Sequence, residues 1–302
     1  MTDALGQHVS PGVRITASAS SRDTARIHII REWAAAPAQS GEVSLSTVLC
    51  LFDARSGSYA EIRSARPGLL RVCAHVAGAA GGTDITWLRV LLVADLLARA
   101  AELHHLQVLT VLAHPGQAPG PAAERAAGAL GIRPPAARAS LSEARTSAGG
   151  PIDVHVVSQG TGADGSQSGL VARVGTARLR GADVLAGPGD YPLAVRLALI
   201  SLPYHQPADL SEDVLASAQE TIAHWRRQVA GWAESPSRPV PARIAETLRA
   251  AFGGLDTAAA LALLRDLAPD ADVPAGAKFE TFVYADRVLG LDLPRDIGRA
   301  SG

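Results

Sequence analysis

The sequence predicts an α/β fold, a mostly parallel sheet followed by a small C-terminal helical bundle, and three features carry that expectation. Leu69 to Ala77 is a short, mostly apolar run of the kind that forms a strand buried on both faces. A glycine-bearing turn (Gly78, Gly81, Gly82) and the long apolar stretch from Trp87 to Leu103 follow it, a strand-loop-helix unit whose helix N-terminus can attract an anion. Similar strand-like runs return at 106–114 and 152–158 with helical or turn-rich stretches between them, an alternation that implies a parallel sheet with helices on both faces.

Residues 1–44 precede this unit; ARIHIIREWAAA there suits a short strand or helix, and its flanks are rich in Ser, Gly and Pro. A hairpin is expected next, Ser46 to Asp53 with Tyr59 to Arg63, because Gly57 supplies the freedom a tight loop needs. After the second strand, Pro115 to Pro121 reads as a turn, Ala122 to Leu130 as a short helix and Ser140 to Pro151 as a loop. Ile152 to Ser158 is the third strand, and QGTGADGSQSG after it is a glycine- and serine-rich link. Beyond residue 190 the spacing is helical. Asp209-Leu210-Ser211-Glu212 has the form of a capping box, and Leu215, Ile222, Trp225, Val229 and Trp232 fall on one helical face. Pro236, Pro239 and Pro241 end that helix, and further helices are expected near 241–252, 257–267 and 278–289. The resulting division is an N-terminal extension (1–44), a sheet domain (45–190) and a helical bundle (191–302).

Composition limits the function classes. At 302 residues, with 47% hydrophobic and 19% charged residues, the chain can bury a sizeable core and is not of the disordered type. The net charge of −1 offers no bulk positive field for a polyanion. Lys278 is the single lysine, so arginine supplies nearly all the positive charge. Cys50 and Cys73 lack spaced partners, which fits a reducing compartment. The N-terminal residues show no basic region followed by an apolar core, and the Trp87–Leu103 stretch is interrupted by Arg89, Asp95, Arg99 and Glu102. A cytoplasmic protein without a membrane span is the expectation.

The order of residues adds a resemblance. VLCLFDARSGSYAEIRSARPGLLRVCAHV followed by TDITWLRVLLVADLL resembles the N-terminal catalytic region of the class I cysteinyl-tRNA synthetases, and more closely their relative, the mycothiol ligase branch that joins cysteine to glucosaminyl-inositol. RVGTARLRGADVLAGPGDYPLAVRLALISLPYH resembles the second signature region of that family, a Gly-x-x-x-Leu-x-Gly hairpin before Lys-Met-Ser-Lys-Ser, with Gly175, Leu179, Gly181 and Gly189 in register. PAGAKFETFVYADRVLGLDL resembles the end of the helical bundle of the family, so the likeness covers roughly residues 46–292. It implies a Rossmann-like sheet domain of the class I aminoacyl-tRNA synthetase type, with ATP and zinc as cofactors.

Against that resemblance the signature residues are missing. Where the family has His-x-Gly-His, this chain reads Asp84-Ile85-Thr86-Trp87, and where it has the lysine signature, Asp183-Val184-Leu185-Ala186-Gly187. Adenylation depends on donors and cations held where phosphate charge develops, and losing one such donor typically costs on the order of 10²- to 10³-fold in rate. Aspartates at such positions repel phosphate. Of the zinc ligands implied by the resemblance only Cys73 is matched, because SQGTGADGSQSGL after Asp153-Val154-His155 contains no histidine or cysteine. No ATP, no zinc and no catalytic residue are therefore expected. A vestigial cleft is expected to gather Cys73, His75, Gly81, Gly82, Asp84, Thr86, Trp87, His155 and Asp183, with Trp87 as an anchor for a partner.

Each of these residues also has a plainer reading. Cys73 suits a small buried hydrophobe, and His75 and His155 suit core or rim histidines bonded to a backbone carbonyl. The glycine loop suits a simple turn, His104-His105 a helix C-terminus, and Trp87 the core. The expected function is that of a catalytically degenerate paralogue binding an unknown protein partner or small ligand. The alternatives are an adenylating cysteine ligase with relocated catalytic groups and a tRNA-binding accessory factor, the last disfavoured by charge.

Overall fold

The structure, a computed structural model, describes residues 48–76, 84–116, 120–158, 168–180 and 191–299. The extension at 1–44, the turn at Gly78 to Gly82, the link at 159–167 and the segment containing Asp183 lie outside the described residues. Thr47 to Gly302 forms one compact unit.

In chain order the elements are β1 (Cys50–Asp53), β2 (Ser58–Glu61), β3 (Leu69–His75), α1 (Ile85–Leu103), β4 (Gln107–His114), α2 (Pro121–Ala129), β5 (Ala137–Ser140), α3 (Ala144–Ser147), β6 (Val154–Ser158), β7 (Leu170–Val174), β8 (Ala177–Leu179), α4 (Tyr191–Ile200), β9 (Ala208–Leu210), α5 (Glu212–Trp232), α6 (Ala242–Gly253), α7 (Thr257–Leu267) and α8 (Ala275–Leu289), with a closing 3-10 turn at Leu293–Asp296. Seven strands form a mixed, mostly parallel sheet in the order β2-β1-β7-β6-β3-β4-β5. The five strands from β7 to β5 run parallel, whereas β1 is antiparallel to both β7 and β2. Read outward from β3, the parallel strands reproduce the Rossmann-like 3-2-1-4-5 order, with the switch point between β3 and β6.

Alternation along β3 assigns its two faces. Leu70, Val72 and Ala74 share one core with α1, while Cys73 joins a second, smaller core with Val111, Ala113, Ala144 and Ala148. Helix α1 buries 15 of its 19 residues, so it is a central helix enclosed between the sheet and the C-terminal helices, not an amphipathic surface one. Its Arg89 is buried and donates to the carbonyls of Gly175, Gln206 and Pro203 at 3.1, 2.6 and 3.2 Å, which ties the helix to the start of the C-terminal region.

Four details differ from the sequence expectation. Helical cover of the second face is slight among the described residues, a four-residue α3, because the connection there folds into short pieces around Gly149 and Gly150. The stretch at 140–151 thus contains a helix, and β5, an edge strand of only four residues, precedes it. The Gly175 region is no hairpin: β8 pairs in parallel with β9. Gly175 is nonetheless obligatory, since a Cβ there would stand 2.3 Å from the Gln206 carbonyl oxygen. At α5, Ser211 caps the helix by accepting from Val214 N, while Asp209 belongs to β9 and pairs with Arg180 at 2.8 Å. The helices at 242–253, 257–267 and 275–289 stand where the periodicity puts them. No helix among the described residues is long and apolar enough to cross a membrane.

Candidate functional site

The switch point is where doubly wound sheets bind ligands, at the carboxyl ends of the strands on either side. On the two strands that flank the switch point, β3 ends in His75, with Cys73 two residues before it, and His155 is the second residue of β6. In the parallel register Cys73 pairs with His155, and two residues further on His75 projects from the same face. The three donor atoms, one thiol sulfur and two imidazole nitrogens, all lie within 4.8 Å of one another, and all three residues are buried.

A hydrogen-bond chain orders the imidazoles. His155 Nε2 lies 3.0 Å from the Ser168 carbonyl oxygen, and His155 Nδ1 lies 2.8 Å from His75 Nε2. A carbonyl only accepts, so His155 Nε2 carries the proton and Nδ1 of the neutral ring presents its lone pair to His75 Nε2–H. Burial, reinforced by His155, pushes His75 down to about 4, and burial lowers His155 as well, helped by the positive charge of Arg55 and opposed by the bond to Ser168. Both rings are therefore neutral near pH 7, the state in which imidazole acts as a ligand or hydrogen-bond acceptor. Burial pushes the Cys73 thiol up to about 12, so without a cation nearby it is a thiol and a poor nucleophile.

Of the other residues of the expected cleft, Asp84, Thr86 and Trp87 are described, and each is engaged elsewhere. Asp84 is exposed and caps α1, its Oδ1 accepting from Thr86 N at 2.8 Å. Thr86 is half-buried, and its hydroxyl is engaged with Ala177, donating to the carbonyl at 3.1 Å and accepting from the amide at 3.0 Å. Trp87 corrects the expectation of a partner anchor: it is only 6% exposed and packs in the main core, because α1 is covered on every side. Gly81, Gly82 and Asp183 lie outside the described residues. Sequence reasoning treated His75 and His155 separately; the available signal was Cys-x-His on one strand, which puts both donors on one face once β3 and β6 are neighbours.

The described residues of the first signature do not fit the phosphate-binding apparatus implied by the resemblance, and the second signature segment lies outside the described residues. The amide of Thr86 at the α1 N-terminus is taken by the Asp84 carboxylate, and Lys278 is spent elsewhere, donating to the Ala268 carbonyl at 2.9 Å within the bundle. For zinc, the residues matching the implied set reduce to Cys73, yet two imidazoles stand beside it, so the donors fit a three-ligand site of different make-up.

No family model matches the chain. Over partial stretches it is similar to three curated proteins named L-cysteine:1D-myo-inositol 2-amino-2-deoxy-alpha-D-glucopyranoside ligase. That of Cellulomonas flavigena is 38% identical over 81 residues, covering 26% of this chain and 19% of that protein. The ligase 2 of Corynebacterium jeikeium is 34% identical over 116 residues, 36% of this chain and 27% of that protein, and the ligase of Geodermatophilus obscurus 37% identical over 115 residues, 36% and 26%. The matched stretches thus span about a quarter of those relatives or less, and they support a likeness to the cysteinyl-tRNA synthetase-like ligases that the residues around Cys73 and Gly175 also carry.

Proposed function

We propose that this chain is a catalytically degenerate relative of the mycothiol ligase-like proteins, a binding or regulatory scaffold that no longer activates cysteine with ATP. The observation that carries this reading is the Asp84 cap. A carboxylate occupies an amide at the helix end where the fold would present donors to a phosphate, and adds repulsion to a lost contact. Thr86 and Trp87 from the same signature position are committed to β8 and to the core, so neither is available to a nucleotide. The ligand of the scaffold is a protein or a small molecule; the net charge of −1 disfavours tRNA, which a filter-binding titration at low salt checks.

The second reading, an ATP-dependent cysteine ligase with relocated catalytic groups, has the 34–38% identity to named ligases in its favour. Cysteine-dependent ATP–pyrophosphate exchange separates the two. The scaffold reading expects no exchange above the cysteine-free background from folded protein, and turnover abolished by removing cysteine would establish the ligase instead.

A further inference from the structure

Three donors of mixed softness, one thiol and two imidazoles, stand together on one face of the sheet. The donor atoms of Cys73, His75 and His155 lie within 4.8 Å of one another, against separations of roughly 3.3–3.5 Å around a tetrahedral ion with metal–sulfur and metal–nitrogen distances of about 2.3 and 2.0 Å. The strands themselves are held by pairing on both sides of β3 and β6.

We propose that Cys73, His75 and His155 bind a zinc-type divalent cation, through a ligand set in which two imidazoles from β3 and β6 stand where the resemblance would put residues this chain lacks. One thiolate with two imidazoles suits a borderline-soft ion and leaves a fourth position for water or an exogenous ligand, the pattern of an open site. The outer partner is already in place. Ligating histidines usually donate their second ring N–H to a carbonyl or carboxylate, and His155 Nε2 does so to Ser168 at 3.0 Å, which directs its Nδ1 inward. The ion would replace the hydrogen bond between His75 and His155, taking the lone pair of His155 Nδ1 and the one that His75 Nε2 gains when its proton is relocated. On binding, the Cys73 S–H bond breaks, a sulfur–metal bond forms and the proton leaves to solvent, while His75 keeps one proton by moving it to Nδ1. This revises the expectation of a metal-free protein, which counted ligands by family position and overlooked the register of β3 and β6. It holds whether or not ligase activity survives.

Cobalt(II) titration of the full chain tests it, because cobalt replaces zinc and reports its ligands by absorption. Folded wild-type protein is expected to take up one cobalt per chain with a thiolate-to-cobalt charge-transfer band and the intense visible bands of a tetrahedral ion. The chain has two cysteines, so a band that persists in Cys50→Ala comes from Cys73, and no substitution in the buried site is needed to establish that. Where the variants fold, Cys73→Ser should abolish the charge-transfer band, and His75→Ala or His155→Ala should each weaken uptake by at least the roughly 10- to 100-fold that loss of an outer-shell partner costs. Absence of stoichiometric uptake by wild-type protein overturns the site. So does a spectrum without thiolate character, or a band lost in Cys50→Ala.

Discussion

Asp95 of α1 and Arg196 of α4 meet in the interior, Oδ2 to Nη2 at 3.1 Å, with both side chains essentially inaccessible. The Asp95 carboxylate also accepts from Arg99 Nε at 2.8 Å and Arg133 Nε at 3.0 Å, and Arg196 donates to the carbonyls of Leu289 and Leu130 at 2.6 and 2.9 Å. Burial pushes Arg196 down to about 10, still a cation at neutral pH, with Asp95 opposing the shift. One carboxylate therefore joins the central helix of the sheet to the end of the last helix, α8, through a charge that cannot be left alone.

Asp95→Ala should destabilise the protein by about 3–5 kcal/mol, the cost of leaving Arg196 buried without its partner. Adding Arg196→Met should recover part of that loss, because the uncompensated charge goes with it. Denaturant unfolding of Asp95→Ala, Arg196→Met and the double variant closes the cycle; a double variant as unstable as the sum of the two single changes would mean that the pair contributes nothing as a pair.

Trp87→Ala should act as a core deletion. A tryptophan 6% exposed in the main core typically costs about 3–5 kcal/mol when truncated, which lowers the melting temperature by roughly 6–20 °C in a chain of this size. Thermal unfolding checks it. A fully stable variant with a lost ligand or partner would return Trp87 to the surface role that the sequence suggested.

The fold was legible because its signals are local. Apolar runs at β3, β4 and β6 and the three-and-four spacing from Leu215 to Trp232 each report burial within one element, and the structure places strands and helix there. What escaped depends on partners far along the chain. Whether Trp87 faces solvent depends on how the C-terminal helices cover α1, which its own neighbours do not encode. The pairing of His75 with His155 spans 80 residues and exists only because β6 inserts beside β3. β8 and β9 are three residues each, too short for a period-two pattern to announce them, and just before β8 the backbone of Gly175 passes too close to the Gln206 carbonyl for any side chain.

Tyr204 links the antiparallel edge of the sheet to the chain after α4, and its ionisation gives a pH prediction with a definite sign. Its hydroxyl accepts from Phe52 N at 3.1 Å and donates to the Phe52 carbonyl at 3.4 Å. Burial raises the phenol well above its ordinary value of 10, with Tyr59 and Asp53 adding to the shift and the Phe52 bond opposing it. Above pH 10 the unfolded chain releases this proton while the folded chain keeps it, so the unfolded state binds fewer protons and stability falls as pH rises. Below pH 10 both states are protonated and the contribution is constant. Tyr204→Phe should therefore be less stable than wild type by about 1 kcal/mol at neutral pH, from the lost hydrogen bonds, and should lack this part of the alkaline loss. The other groups that titrate at high pH are common to both proteins, so the difference between their urea unfolding curves isolates the phenol. That difference should shrink as pH is raised beyond 10 and then change sign; a constant difference would place Tyr204 in contact with solvent and in no bond to Phe52.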